Sequence, residues 1–216
     1  MNTQERETVD VRHTGLDLLP HQWDHEVWAT AQPIALTHYW SGEFANPNRH
    51  AEARLLWTPK ALLARFESNQ FEPLIVNSAP VVDQKTLGLW DRDVCEIFIA
   101  PDAKTPNCYF EFEAAPTGEY VDLAVCLDGE LRDVEWDFQS GMTVAALIDE
   151  KKKTLTGIRI PWSAVISKPA TGDIWLGNLC RCVGIGEDRG YLAWQPTLTE
   201  KANFHVPEKF GQLRFC

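Results

Sequence analysis

The sequence predicts an all-β fold, an antiparallel β-sandwich of the immunoglobulin-like or jelly-roll-like kind. Three observations lead there: about ten short runs alternate apolar and polar residues, turn residues separate the runs, and no segment sustains the 3.6-residue period of a long helix.

Residues 33–40 (PIALTHYW) open the series. Residues 51–57 (AEARLLW) and 61–67 (ALLARFE) flank Thr58-Pro59-Lys60 and read as a hairpin. Residues 94–99 (VCEIFI), 108–114 (CYFEFEA) and 119–126 (EYVDLAVC) follow, the last two joined through the turn residues Pro116-Thr117-Gly118. In the middle run Phe110 and Phe112 point one way, and Tyr109, Glu111 and Glu113 the other. Residues 143–149, 154–160, 173–183 and 211–215 complete the set. Residues 161–166 (PWSAVI) predict a turn or two of helix, with proline in the first turn. Residues 1–30 read as an irregular N-terminal arm and 31–216 as one β-sandwich domain. In that arm His21 and His25 are four apart, but Pro20 marks a loop and the H-E-x-x-H order of a zinc helix is missing, so a packed or solvated arm is expected.

The 216 residues are 44% hydrophobic and 24% charged, which are globular proportions and exclude a disordered tail. The net charge of −11 argues against nucleic acid and anionic membrane as partners, because both are bound through basic faces. The opening MNTQERETVD has neither a cationic lead nor an apolar run, and no stretch is apolar for long enough to span a bilayer; a soluble chain without a secretion signal is expected. Six cysteines without a C-x-x-C predict reduced core thiols, a usage that leans cytoplasmic, and no zinc site.

The chemistry suggested by the residues is recognition rather than covalent catalysis. No G-x-S-x-G, Walker sequence or evident Cys–His pair occurs, and Gly184-Ile185-Gly186 lacks the spacing and the helix of a dinucleotide loop, so it reads as a turn. The chain carries 9 Trp, 10 Phe and 4 Tyr. Within WDRDVCEIFI, Trp90 stands in the polar approach to a strand, and Glu96 alternates with Cys95 and Ile97. An exposed indole beside an acceptor suits a pyranose, whose C–H face is apolar and whose rim carries hydroxyl donors. One alternative stays open at this point: a glycoside hydrolase using Glu96 and Glu111 as its carboxyl pair.

The ordered set WDRDVCEIFIAPD, YFEFEAAPTG, TGIRIPWSA, GDIWLGNLCR, AWQP and FHVPEKFGQLRF resembles carbohydrate-binding module family 9 and its stand-alone relatives, which share a DOMON-like β-sandwich. The resemblance covers about residues 30–216. It implies non-catalytic binding of a mono-, oligo- or polysaccharide, one sugar unit being held between two aromatic rings while charged groups grip its hydroxyls. Trp90 matches the first ring and Glu96 the hydroxyl-binding carboxylate; the second ring, a tryptophan in sugar binders, falls on Phe204, and the family's arginine falls on Glu111. Trp194 is a substitute second wall, and Lys201, Asn203 or His205 are candidate donors. The resemblance further implies structural calcium held by loop oxygens, with Asp91, Asp93 or Asp102 as contributors, and association with secreted xylan- or cellulose-degrading systems. The wider DOMON-like resemblance also implies a further alternative, a heme- or metal-binding protein, whose cue would be an axial His, Met or Lys, with only Met1 and Met142 as methionines. Asn178, Arg181, Trp162 and Trp175 read as structural.

Overall fold

A computed structural model describes residues 6–216 except 130, 151 and 164. The chain is all-β. Its strands are β1 (Thr8–His13), β2 (Ile34–Leu36), β3 (His38–Tyr39), β4 (Ala51–Trp57), β5 (Ala61–Asn69), β6 (Val94–Ala100) and β7 (Cys108–Ala114). They continue with β8 (Tyr120–Asp128), β9 (Leu131–Glu135), β10 (Thr143–Asp149), β11 (Lys153–Pro161), β12 (Ile174–Val183), β13 (Gly190–Ala193) and β14 (Gly211–Phe215). Among the described residues no helix is long and apolar enough to cross a membrane.

The strands form one curled sheet in the order β10-β11-β5-β4-β1-β14-β12-β6-β7-β8-β9, with β2 beside β4, and β13 between β12 and β3. The sheet is mixed rather than wholly antiparallel. β1 runs parallel to β14 through Thr8–Val11 and then parallel to β4 through Arg12–His13, so one short strand joins two antiparallel wings. The first 30 residues, expected to be irregular, therefore contain a strand at the junction of the sheet. Nor is there a helix among the described residues of 161–166: Pro161 ends β11, and the Ser163 hydroxyl accepts from the backbone N–H groups of Val165 and Ile166.

The main core lies between the wings, where Leu55, Phe66 and Ile158 of one meet Ile97, Phe112 and Leu179 of the other. A second cluster, with Val94, Phe98, Tyr109, Leu123 and Cys180, covers the opposite face of the β12-β6-β7-β8 wing. Because that wing is buried on both faces, β6 reads as an almost unbroken apolar run. Asn178 and Arg181 are ties, as expected. Asn178 exchanges hydrogen bonds with the backbone of Gln195, and buried Arg181 donates to the carbonyls of Arg49 and His50 and to Gln70. Trp175 is in the main core, with Trp162 packed edge-on against it.

The cysteines depart from expectation. Cys108 and Cys126 face each other across β7 and β8 and form a disulfide, whereas Cys95, Cys180 and Cys182 are buried thiols and Cys216 is an exposed one.

Candidate functional site

The site lies on the outer face of the second wing. In the β6–β7 ladder Glu96 stands opposite Glu113 and Phe98 opposite Glu111, so the period of two places Glu96, Glu111 and Glu113 on one face. An oxygen from each carboxyl lies within 4.8 Å of one from each of the others. All three are buried, Glu113 completely.

Burial removes water from three carboxyls that would repel one another if ionised, and every one holds its proton more tightly than usual. Glu96 is pushed up to about 8, first by burial and then by the charge of Glu111. Burial raises Glu111, partly offset by a hydrogen bond with Glu113 and by Arg132. Glu113 goes well above the usual carboxylate range through burial and both neighbouring acids. The Cys182 thiol donates to Glu96 Oε1 at 3.1 Å. Among the described residues neither oxygen of Glu113 meets an N–H or a hydroxyl donor; its hydrogen-bonding neighbour is the Glu111 carboxyl, which requires one of the two to be protonated.

Above this floor opens a cavity of about 270 Å³. Its walls are aromatic. Trp90 stands on the short 3-10 turn Leu89–Asp91 with 36% of its surface exposed, and Trp136, just beyond β9, has its ring centroid 6.1 Å away with the planes at 46°. Gly88 enters that turn at φ 79°, a left-handed conformation that a side chain would strain. Tyr191 of β13 and Phe204 also line it, 6.1 Å apart between centroids. Asp91, Arg132, Asn203 and His205 complete the rim. Burial lowers His205 to about 4, so its imidazole is neutral, hydrogen-bonded through Nδ1 to the Tyr109 hydroxyl at 2.8 Å.

Of the residues singled out from sequence, Trp90, Asp91, Glu96, Glu111, Asn203, Phe204 and His205 line this one cavity. Trp194 does not. It packs into the core between the wings, over Gly211, where any Cβ would overlap the indole, and its Nε1 donates to Glu7 at 2.5 Å. Tyr191 faces the cavity, and its strand alternation turns the chain at 194 inward. Lys201 is exposed and outside the lining. Sequence reasoning missed Trp136, Tyr191 and Arg132 as cavity residues, and Glu113 as part of the floor. Only Glu113 carried a plain signal, being two residues from Glu111 in one strand.

Of the three aspartates suggested for calcium, Asp91 lines the cavity and the other two are otherwise engaged. Asp93 is buried and accepts from Gln70 and from the backbone N–H groups of Ile75 and Gly184, while Asp102 caps its own turn through Lys104 N–H and the Thr105 hydroxyl. These residues do not fit a shared ion. Among the described residues, Glu96, Glu111 and Glu113 are the group of acids close enough to hold one. For the heme alternative, Met142 is buried in the core and Met1 lies outside the described residues.

Fold and cleft together define an all-β protein with an aromatic-walled, acid-floored pocket. Residues 22–216 match the model of the family "Carbohydrate family 9 binding domain-like", and the chain belongs to that family. Solved structures agree in fold. A candidate carbohydrate-binding protein from Bacteroides uniformis ATCC 8492 superposes with a TM-score of 0.75 at 17% identity, covering 98% of this chain and 100% of its own. A family 9 carbohydrate-binding module from Caldicellulosiruptor kristjanssonii in complex with cellotriose gives 0.67 at 12% identity, covering 97% and 93%. The module from the same organism in complex with glucose gives 0.68 at 14% identity, covering 97% and 96%. No curated protein matches the sequence.

Proposed function

We propose that this protein binds carbohydrate without turning it over, taking one sugar unit of a mono-, oligo- or polysaccharide into the cleft. The observation that carries the reading is the half-exposed Trp90–Trp136 pair standing over buried carboxyls in one cavity. Rings would cover the apolar C–H face, and Glu96, Glu111 and Asn203 would take the hydroxyls. Burying roughly 150 Å² of C–H and ring surface at about 25 cal/mol per Å² is worth about 4 kcal/mol before association costs, so the polar groups decide affinity. Modules of similar fold bound to cellotriose and glucose support a glucose-type ring.

The two wings of residues 31–216 serve as the layers of a DOMON-like sandwich, and β1 (Thr8–His13), from the segment before them, is the strap between them. Polysaccharide breakdown, xylan included, is the setting such a binder suits. The glycoside hydrolase alternative is weaker because Glu96 and Glu111 rise from neighbouring strands on the same sheet face and approach a ligand from one side, whereas hydrolysis needs carboxyls flanking the scissile bond.

Isothermal titration of glucose, cellobiose, cellotriose and xylobiose tests the proposal. Trp90→Ala and Trp136→Ala should each weaken binding about tenfold or more, consistent with the loss of a stacked ring. Parental affinity in both variants would overturn it.

A further inference from the structure

The floor of the cleft is chemically unbalanced for a neutral ligand. Asp91, Glu96 and Glu111 line the cavity and Glu113 lies against the last two, while Arg132 is the cation among the lining residues and His205 is neutral. Glu113 is fully buried, and among the described residues both its oxygens lack an N–H or hydroxyl donor. A buried carboxyl left in this state needs either a proton or a cation. Cys182 contributes one weak donor to Glu96, and Arg189 and Arg132 act only at longer range, through their fields. The walls, however, include the indoles of Trp90 and Trp136, rings whose quadrupoles attract a cation and which also cover an apolar ring.

We propose that the preferred ligand is an amino sugar, a hexosamine unit with a free ammonium group directed at Glu96 and Glu111, with Glu113 behind them, while its ring packs against Trp90 and Trp136. This rests on the carbohydrate reading of the cleft and narrows it. An ammonium offers three donors and a full positive charge to acids whose one protein donor outside the cluster is the weak Cys182 thiol and whose cations act only at longer range. A bare divalent ion would meet the acids equally, but calcium takes six to eight oxygen ligands and has no use for an aromatic-walled cavity of about 270 Å³ above it. A uronic acid would add a further negative charge and is rejected. As the ammonium enters, acids that hold protons in the free protein give them up, so binding releases protons to the buffer.

Titration calorimetry with glucosamine, glucose and N-acetylglucosamine, at about pH 6.5 where the free amine is charged, and in two buffers of different ionisation enthalpy, tests this. Glucosamine should bind at least tenfold more tightly than the other two, with proton release, and Glu111→Gln and Glu113→Gln should each collapse the glucosamine-to-glucose ratio. Glucose binding as tightly as glucosamine overturns the amino-sugar proposal and leaves the carbohydrate reading standing. Failure of all three sugars, and of their oligomers, overturns both. Calcium chloride that competes with glucosamine at micromolar concentration, or is required for its binding, overturns the proposal in favour of an ion site.

Discussion

Arg189 holds Trp90 by the backbone. Its Nη2 donates to the Trp90 carbonyl at 2.7 Å and to that of Arg92 at 2.6 Å, and its Nη1 donates to the carbonyls of Asp91 and Gly184. The same guanidinium lies 5.4 Å from the centroid of Tyr191, so one side chain braces both walls of the cleft without lining it. Arg189→Ala should free the turn carrying Trp90 and weaken sugar binding about tenfold, and Arg189→Lys should rescue little, because a single ammonium cannot span four carbonyls. Calorimetry with a bound sugar measures this; parental affinity in Arg189→Ala would show that the turn holds Trp90 in place unaided.

The acid floor makes stability depend on pH in a stated direction. Glu96 goes from an ordinary value of 4.5 to about 8 on folding, and Glu111 and Glu113 also rise. A carboxyl raised on folding binds its proton more tightly in the native state. Its stabilisation is complete below about pH 4.5 and drains away as pH climbs toward 8. Asp17 and Glu67, lowered chiefly by ion pairs with Arg159 and Lys153 against the cost of burial, act oppositely and lose their contribution only in acid. The ligand-free melting temperature should therefore fall by about 5–10 °C between roughly pH 6 and 9, and Glu113→Gln should flatten that slope. A melting curve that is level across this window, read by differential scanning fluorimetry, would mean that the acids are neutralised by something other than protons.

Much of this arrangement was legible in the sequence, for physical reasons that also mark where reading stopped. Alternation gave β4 to β8, β11 and β12, because those strands are buried on at least one face and their patterns are forced, and it also gave β10, an end strand that is only partly buried. It missed β1, β9 and β13, which are four to six residues long and mostly lie at joins or edges where polar residues interrupt the pattern. Trp136 was lost with β9. Tyr109, Glu111 and Glu113 were correctly placed on one face, yet the assembly of three acids depended on the β6–β7 register, which no single strand encodes. Trp194 carried the right chemistry at the wrong phase: it follows β13, and the strand alternation sends it into the core. The Cys108–Cys126 pairing likewise depends on which residues the β7–β8 register sets opposite each other.

That disulfide closes a short loop across an existing antiparallel pair, at a sequence separation of 18. A bond closing a loop of this size contributes about 3 kcal/mol by restricting the unfolded chain. Reduction, or Cys108→Ser with Cys126→Ser, should lower the melting temperature by about 5–10 °C. Sugar affinity should not change, since neither cysteine lines the cavity. Thiol labelling that finds six reactive cysteines in the untreated, unfolded protein would remove the basis for this expectation.

The N-terminal segment meets the first wing most closely at Gly157. A Cβ there would overlap the carbonyl of Pro20, a backbone atom that cannot swing aside. Around it Leu18, Trp28 and Ala31 pack with Leu56 and Leu63 on the outer face of β4 and β5, and Arg54 donates to the carbonyls of Trp28 and Ala31. Gly157→Ala must therefore lift this segment or bend β11, at a cost of about 1–3 kcal/mol, as for other overpacked sites. The variant should melt about 3–10 °C lower and show increased exposure of Trp28 by fluorescence quenching. Its sugar affinity should match the parent, because the cleft lies on the other wing. Parental stability in Gly157→Ala would mean that the segment does not rest on β11 in solution.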